Sequence, residues 1–300
     1  MKSINETTIG IAGLGLMGGA IAEALRSACG VSQERLFACD KDSETLTAAR
    51  QAGLIAGGWD ADNAGEMLKS CDLVFLCMNP SAVIRFLEKW EDAFKTGSLV
   101  TDIAGTKESI ALAAQKFRGD VDFIPGHPMA GAEHPAKLPA ARSGFANHTL
   151  CDFRGKNYIL TPISRNLPEN LEYLKNIIRL MGFSRITEVS PAEHDRKIAF
   201  TSQLCHVIAA ALIDCEPDTE ITRFGGGSFE DLTRIAMLNA PMWTELFIEN
   251  RYALLERINQ FEKSLNTLKA HISGSEAEEL EKRLAAVRER RVKMSGDAKL

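Results

Sequence analysis

The chain has 300 residues, 45% of them hydrophobic, and carries a formal net charge of −5 at pH 7. A chain of this length and composition can bury a large core, and we expect two domains. The charge gives no indication of a nucleic-acid or anionic-membrane partner, and we expect no apolar stretch long enough to span a membrane.

The first half of the chain alternates strand-like and helix-like segments. Strands are predicted at Thr8–Ala12, Arg35–Cys39, Leu73–Met78, Leu99–Ile103 and Asp122–Pro125, and helices near Ala20–Ala28, Ser43–Ala52, Ser81–Ala93 and Ile110–Gln115. This α/β alternation predicts a Rossmann-type, doubly wound parallel sheet with helices on both faces. Two further strands, Asn157–Thr161 and Ser184–Val189, flank a helix with an apolar stripe, so we place this domain at residues 1–188.

The sequence after residue 188 predicts helices only. Glu193–Cys215 forms one long helical pattern that ends before Pro217, and Ala277–Arg290 forms the last helix. Between them, apolar residues repeat at alternating spacings of four and three, at Leu254, Ile258, Phe261, Leu265, Leu268 and Ile272. This heptad-like seam either packs within its own subunit or forms a homodimer interface, and we expect an all-helical dimerisation domain over residues 189–300.

A glycine-rich turn joins the first strand to the first helix. Its residues are Gly13, Leu14, Gly15, Leu16, Met17 and Gly18. In such a unit the first glycine permits the turn, the second lets a pyrophosphate approach the backbone, and the third lets the helix pack on the strand. The second strand leads into Asp40, where a carboxylate can bind both hydroxyls of an adenosine ribose. We therefore predict NAD as the cofactor, with Lys41 as the one residue that would attract the phosphate of NADP.

Two polar segments follow strands of the predicted sheet. Thr101–Lys107 includes Asp102 and Thr106, and Gly126–Glu133 includes His127. Because ligands of open parallel sheets bind beyond the carboxyl ends of the strands, both segments are expected where a cofactor and a substrate meet. His127 stands between a glycine and a proline, so we expect its backbone in a turn and its imidazole in catalysis rather than in the core.

A third polar segment lies in the helical region. Arg234 stands in an apolar run, three residues after Asp231, and Trp243 follows it. A guanidinium binds a carboxylate through two parallel hydrogen bonds, so Arg234 is a candidate carboxylate anchor; the alternative is a simple salt bridge to Asp231. His206, 12 residues after His194 in the long helix, would by itself be interpreted as a buried, satisfied histidine.

In this order, the segments resemble those of the prephenate/arogenate dehydrogenase family of tyrosine biosynthesis. The most specific blocks are His127-Pro128-Met129-Ala130-Gly131-x-Glu133 and Thr233-Arg234-Ile235-Ala236 with Trp243. The resemblance also covers Gly13–Gly19, Asp72–Pro80, Asp102–Lys107, His194–His206 and Phe229–Arg251. It implies the oxidative decarboxylation of a cyclohexadienyl substrate with a nicotinamide cofactor, and a helical second domain that forms a dimer.

The resemblance also implies roles for individual residues. His127 would bind the ring hydroxyl of the substrate, and Arg234 would anchor a substrate carboxylate. The other implied substrate-binding residues are His206, Asp231, Trp243 and Glu133. Beyond the glycine turn, the implied cofactor-binding residues are Asp40, Met78 and Asp102.

The chain departs from the family pattern at three positions. The family often has a serine where this chain has Gly105, and we expect the neighbouring Thr106 to supply the catalytic hydroxyl. Gln203 and Cys205 stand where many members have histidine and proline, which bears on any contact between that helix and the cofactor.

The choice of substrate depends on which side chain the pocket accepts. Prephenate carries a pyruvyl group and arogenate an ammonium group, so an acidic pocket residue would favour arogenate. Asp214 lies about two helical turns after His206 and is the candidate, but a carboxylate near a helix end is more often solvated. We therefore predict prephenate, with arogenate as a second candidate.

Two other functions fit part of the pattern. One is another two-domain NAD(P) dehydrogenase or reductase of the 3-hydroxyacid or pyrroline-carboxylate type, and the other is a non-catalytic NAD-sensing protein. The seven cysteines are odd in number and lack CxxC spacing, which favours free thiols in a cytoplasmic protein. We expect no metal site.

Overall fold

A computed structural model describes residues 3–130 and 152–296 of the chain. The chain forms two compact units, Met1–Asn250 and Arg251–Leu300. The first unit holds the sheets and most of the helices, and the second holds the last two helices. The two units meet at residues 250 and 251, whereas the sequence predicts a domain boundary at residue 188. The boundary at residue 188 stays a prediction.

The larger sheet has six parallel strands, and it confirms the predicted Rossmann-type architecture. The strands are β1 (Ile9–Ala12), β2 (Leu36–Asp40), β3 (Gly57–Asp60), β4 (Leu73–Leu76), β5 (Leu99–Asp102) and β6 (Asp122–Phe123), in the order β3-β2-β1-β4-β5-β6. All residues of β1 and β4 are buried, as expected where helices cover both faces. The strand order reverses between β1 and β4, which opens a crevice at their carboxyl ends.

Five helices belong to this sheet. They are α1 (Leu16–Ser27), α2 (Ser43–Gln51), α3 (Gly65–Leu68), α4 (Pro80–Trp90) and α5 (Glu108–Lys116). The sequence pattern did not predict β3 or α3. β3 begins with two glycines and is only partly buried, so it lacks the alternating apolar pattern of a strand.

A smaller sheet contains β7 (Gly126–Pro128), β8 (Asn157–Leu160) and β9 (Arg185–Glu188), with α6 (Pro168–Leu180) between the last two. β7 runs antiparallel to β8, and His127 pairs with Ile159. The prediction of a turn at His127 was therefore wrong. A three-residue strand that ends in proline is too short to show a hydrophobic period.

The rest of the first unit is helical. It contains α7 (Pro191–Ile198), a π turn (Ala199–Gln203), α8 (Leu204–Asp214), α9 (Gly227–Thr233), a 3-10 turn (Arg234–Ala236) and α10 (Ala240–Glu249). The second unit contains α11 (Arg251–Ser273) and α12 (Ala277–Gly296). The predicted single helix Glu193–Cys215 thus forms one helical run, with a π turn in its middle.

One helical run, Pro191–Asp214, is long and apolar enough to cross a membrane by length and composition alone. This corrects our expectation that no segment reaches that length. Three polar residues along the run, His194, Asp195 and Gln203, are buried and hydrogen-bonded to other elements of the fold. These contacts join the N-terminal half of the run to other elements of the fold.

Candidate active site

The glycine turn has the geometry that a bound pyrophosphate requires. Gly13 has φ = 93°, and a Cβ at this position would lie 2.5 Å from the carbonyl oxygen of Cys77. A Cβ at Gly18 would lie 1.9 Å from the carbonyl oxygen of Gly13, so only glycine lets α1 pack this closely. A Cβ at Gly15 would meet nothing within 4 Å, which leaves open space at the N-terminus of α1.

Asp40 and Met78 border this turn. The carboxylate of Asp40 accepts hydrogen bonds from the backbone N–H of Leu14 at 2.6 Å and from that of Asp42 at 2.9 Å. The Cγ atom of Met78 lies 3.2 Å from the Cβ position at Gly13. The structure therefore brings the ends of β1, β2 and β4 together, where a dinucleotide would lie.

Asp102 lies completely buried at the end of β5. Its Oδ2 pairs with Nζ of Lys107 and accepts from the N–H of Ala104, and its Oδ1 accepts from the N–H of Gly126 at 3.1 Å. Burial raises the pKa of Asp102 and lowers that of Lys107, while their mutual attraction opposes both changes. Both oxygens of Asp102 thus hold internal groups beside His127, and its contact with the cofactor stays a prediction.

His127 belongs to a hydrogen-bonded relay. Its Nδ1 lies 2.9 Å from Nε2 of His194, and Nδ1 of His194 lies 2.6 Å from Oδ1 of Asp195. The Asp195 carboxylate also accepts from the backbone N–H groups of Lys107 at 2.8 Å and Glu108 at 2.9 Å. These contacts fix both imidazole rings and join the smaller sheet to α7 and to the start of α5.

The relay determines which nitrogen of His127 is free. Burial lowers the pKa of His194 to about 3, and Lys107 adds to the effect, so this ring is neutral. Its proton lies on Nδ1, where it is donated to Asp195, and its bare Nε2 then accepts from Nδ1–H of His127. Nε2 of His127 consequently carries a lone pair. Burial, followed by His194 and Lys107, holds the pKa of His127 well below its ordinary 6.5, so it is a neutral acceptor.

Thr106 is buried, and its hydroxyl donates to Oε2 of Glu249 at 2.7 Å. Ser109 donates to the same oxygen at 3.1 Å. The Thr106 proton is therefore engaged by α10, and its oxygen keeps lone pairs that can accept a further hydrogen bond.

His206 and Trp243 form a close aromatic pair with tilted rings. Their ring centroids lie 3.7 Å apart with an interplanar angle of 30°, and Nδ1 of His206 lies 2.9 Å from the carbonyl oxygen of Ser202. Nδ1–H is thus the donor, and burial lowers the pKa of His206. The neutral imidazole of His206 and the indole of Trp243 are both half-buried. Together they can line one side of a pocket for a cyclic substrate.

The predicted anchor Arg234 begins the 3-10 turn that packs against α8, the helix of His206. Arg234 and Asp231 are both exposed. Glu133, the remaining predicted substrate-binding residue, lies outside the described residues. Among residues 3–130 and 152–296, no three His, Cys, Asp or Glu side chains are arranged to hold a metal ion.

Sequence reasoning missed His194 and Asp195 as functional residues. Both are buried, and His194 lies 67 positions after His127 in the chain. The sequence did contain a signal for them. His194 and Asp195 stand side by side in a predicted helix whose C-terminal part is apolar. Buried polar neighbours of this kind need partners, and here those partners are the catalytic candidates.

Two family models match almost the whole chain. The model for the prephenate dehydrogenase nucleotide-binding domain matches residues 21–187, and that for the prephenate dehydrogenase dimerization domain matches residues 190–286. The chain is 29% identical to a prephenate dehydrogenase of Bacillus subtilis, over 92% of this chain and 72% of that protein. It is 28% identical to a cyclohexadienyl dehydrogenase of Zymomonas mobilis, over 91% of this chain and 90% of that protein.

The fold also matches a solved structure. This is a prephenate dehydrogenase from A. aeolicus in complex with hydroxyphenyl propionate and NAD+. The two chains superpose with a TM-score of 0.83 at 28% identity, over 98% of this chain and 100% of the other.

Proposed function

Because the chain belongs to the prephenate dehydrogenase family, we propose that it oxidatively decarboxylates prephenate to 4-hydroxyphenylpyruvate. It is an NAD-dependent oxidoreductase of tyrosine biosynthesis. The observation that best supports catalysis is the His127–His194–Asp195 relay, which leaves a neutral, correctly protonated base at the edge of the crevice. The 3-hydroxyacid-type dehydrogenases and a non-catalytic NAD sensor are not favoured.

The residues around the crevice fit a dinucleotide. Open space at Gly15 and the N–H groups at the start of α1 suit the pyrophosphate, and the carboxylate of Asp40 suits the ribose hydroxyls. Met78 borders the same turn. NAD, when bound, supplies the hydride acceptor of the reaction.

The side chains supply orientation and a proton acceptor. We assign Arg234 to a substrate carboxylate, with His206, Asp231 and Trp243 as pocket residues and Glu133 as a further candidate. Nε2 of His127 accepts the proton of the ring hydroxyl, while its Nδ1–H stays bonded to His194, which stabilises the charge that develops. We keep Thr106 as a catalytic candidate; because its proton is donated to Glu249, it can donate to the oxygen of the substrate hydroxyl only after turning away from that carboxylate. Loss of carbon dioxide makes the ring aromatic, so the reaction is effectively irreversible.

A panel of substrates tests this function. NADH formation should be seen with prephenate and not with 3-hydroxyacids, and NAD should exceed NADP in kcat/KM, because Asp40 repels a 2′-phosphate. Asp214 is exposed at the end of α8, so Asp214→Asn should not change the preference between prephenate and arogenate. Turnover of 3-hydroxyacids alone would exclude the function, and a strong arogenate preference that Asp214→Asn abolishes would reassign the substrate.

The pH dependence of kcat/KM tests the state of His127. The base must be neutral to accept a proton, and protonation at low pH stops turnover. Since the pKa of His127 is held well below 6.5, activity should persist undiminished as the pH falls through 6.5 and be lost only at lower pH. If kcat/KM instead fell with a midpoint at pH 6.5 or above, His127 would not be desolvated during turnover.

We also propose a homodimer formed by the helical region, residues 189–300, in the cytoplasm. Large apolar side chains of this region are exposed, among them Phe224 at 86%, Ile272 at 65% and Val292 at 63%. Exposed apolar side chains suit an interface, and Leu265 and Ile272 of the seam on α11 are among them. Light scattering should give twice the chain mass of 32.8 kDa; a monomer at micromolar concentration would refute the dimer.

The cysteines support the cytoplasmic location. All six described cysteines are free, and Cys29, Cys39 and Cys71 are buried. Cys205 and Cys215 are exposed. Exposed free thiols persist in a reducing compartment.

A further inference from the structure

Like α1, the helices α4 and α5 begin at the candidate site without a side-chain cap of their own. Carboxylates from the helical region supply the missing acceptors. Oε1 of Glu245 accepts from the backbone N–H of Ser81 in α4 at 2.7 Å, and Asp195 accepts from the N–H groups of Lys107 and Glu108 at the start of α5. The helical region therefore completes two helices of the nucleotide-binding sheet.

Glu245 lies on α10 between two other contacts of the site. Two residues earlier, Trp243 contacts the ring of His206, and four residues later, Glu249 accepts from Thr106. Glu245 and Glu249 are one helical turn apart, so their like charges repel each other in an isolated helix. The two carboxylates are held by groups at the starts of α4 and α5, where the partial positive charge of the helix ends favours them.

We propose that Glu245 is a positioning residue for the reaction. Through Ser81 it holds the segment Met78–Ser81, which borders the glycine turn, at a fixed distance from the Trp243–His206 pair. A rigid α10 thus sets the separation between the cofactor side and the substrate side of the crevice. The inference rests on the proposed function, because only that function gives the two sides their ligands.

Kinetics of three variants test the role. Glu245→Ala should lower kcat about 10-fold while the KM for prephenate stays within about twofold, because misplacement of bound reactants slows the chemical step. Glu245→Gln should restore kcat, since the amide oxygen still accepts from Ser81. Thr244→Ala, at the exposed neighbouring position, is the matched control. With prephenate deuterated at the ring carbon that bears the hydroxyl, the isotope effect on kcat should be larger in Glu245→Ala than in wild type.

Amide hydrogen exchange on the cofactor-free protein gives a readout without turnover. Exchange at the start of α4 should be faster in Glu245→Ala than in wild type and unchanged in Glu245→Gln. If the alanine variant does not fold, Glu245→Asp keeps the charge but shortens the reach, and it should show the same loss of kcat.

Each result separates the two proposals. A wild-type enzyme that fails to oxidise prephenate removes the proposed function, while the exchange experiment still measures the cap. Wild-type kcat and isotope effect in Glu245→Ala, with only a lower melting temperature, would overturn the positioning role. Equal impairment of the glutamine and alanine variants would overturn it as well.

Discussion

His127→Asn should reduce kcat by about 10²–10⁴-fold, the usual contribution of a general base. The variant removes the lone pair at Nε2 that the relay prepares, and no other described residue in the relay can replace it, because His194 donates to Asp195 and accepts from His127. Steady-state kinetics with saturating prephenate and NAD measure the loss.

NAD affinity should change little in this variant, since His127 lies in the smaller sheet and the glycine turn lies in the larger one. His271→Asn is the matched control, because His271 is bonded to Glu276 in the second unit. Near-normal kcat in His127→Asn would remove His127 from catalysis. Loss of both turnover and NAD binding would indicate a collapsed site instead.

Arg234→Ala should raise the KM for prephenate by about 10–150-fold, which corresponds to the roughly 1.5–3 kcal/mol of a charge-assisted hydrogen bond. Arg234→Lys should fall between the alanine variant and wild type, because lysine keeps the charge but loses the planar pair of donors. Initial rates over a range of prephenate concentrations give the KM, and NAD titration should be unchanged.

Arg154→Ala is the control for the effect on stability of removing a surface arginine. The side chain of Arg154 is 85% exposed and pairs with Asp152. If Arg234→Ala unfolds at room temperature while Arg154→Ala does not, Arg234 is a structural ion-pair partner rather than a carboxylate anchor.

The elements that sequence predicts well are those with a local signal. The glycine turn, the strand that precedes it and the helix that follows depend on residues within about twenty positions, so spacing alone identifies them. The end of α6 at Leu180 is equally local, because Gly182, two residues later, has φ = 107° and cannot continue the helix. The parallel sheet then follows from the alternation of strands and helices.

Contacts between distant segments escape this reasoning. The partner of His127 lies 67 positions away, and the oxygen that accepts the Thr106 proton lies 143 positions away. Asp102 is of a residue type that can bind a cofactor, and only the fold shows that its carboxylate forms an ion pair with Lys107. Burial and partners, rather than residue type, decide which polar side chains reach the crevice.

The π turn at Ala199–Gln203 determines the angular phase of the two histidines in this helical run. His194 and His206 are 12 residues apart, which in an unbroken α-helix would leave them about 120° apart around the axis. A π turn takes up one additional residue, which reduces the offset to about 20° and brings both imidazoles to one side. Gln203 holds this turn through the carbonyl of Leu246 and the amide of Asn250. A single residue of extra chain length, held in place by Gln203, thus lets the relay and the His206–Trp243 pair share one helical run.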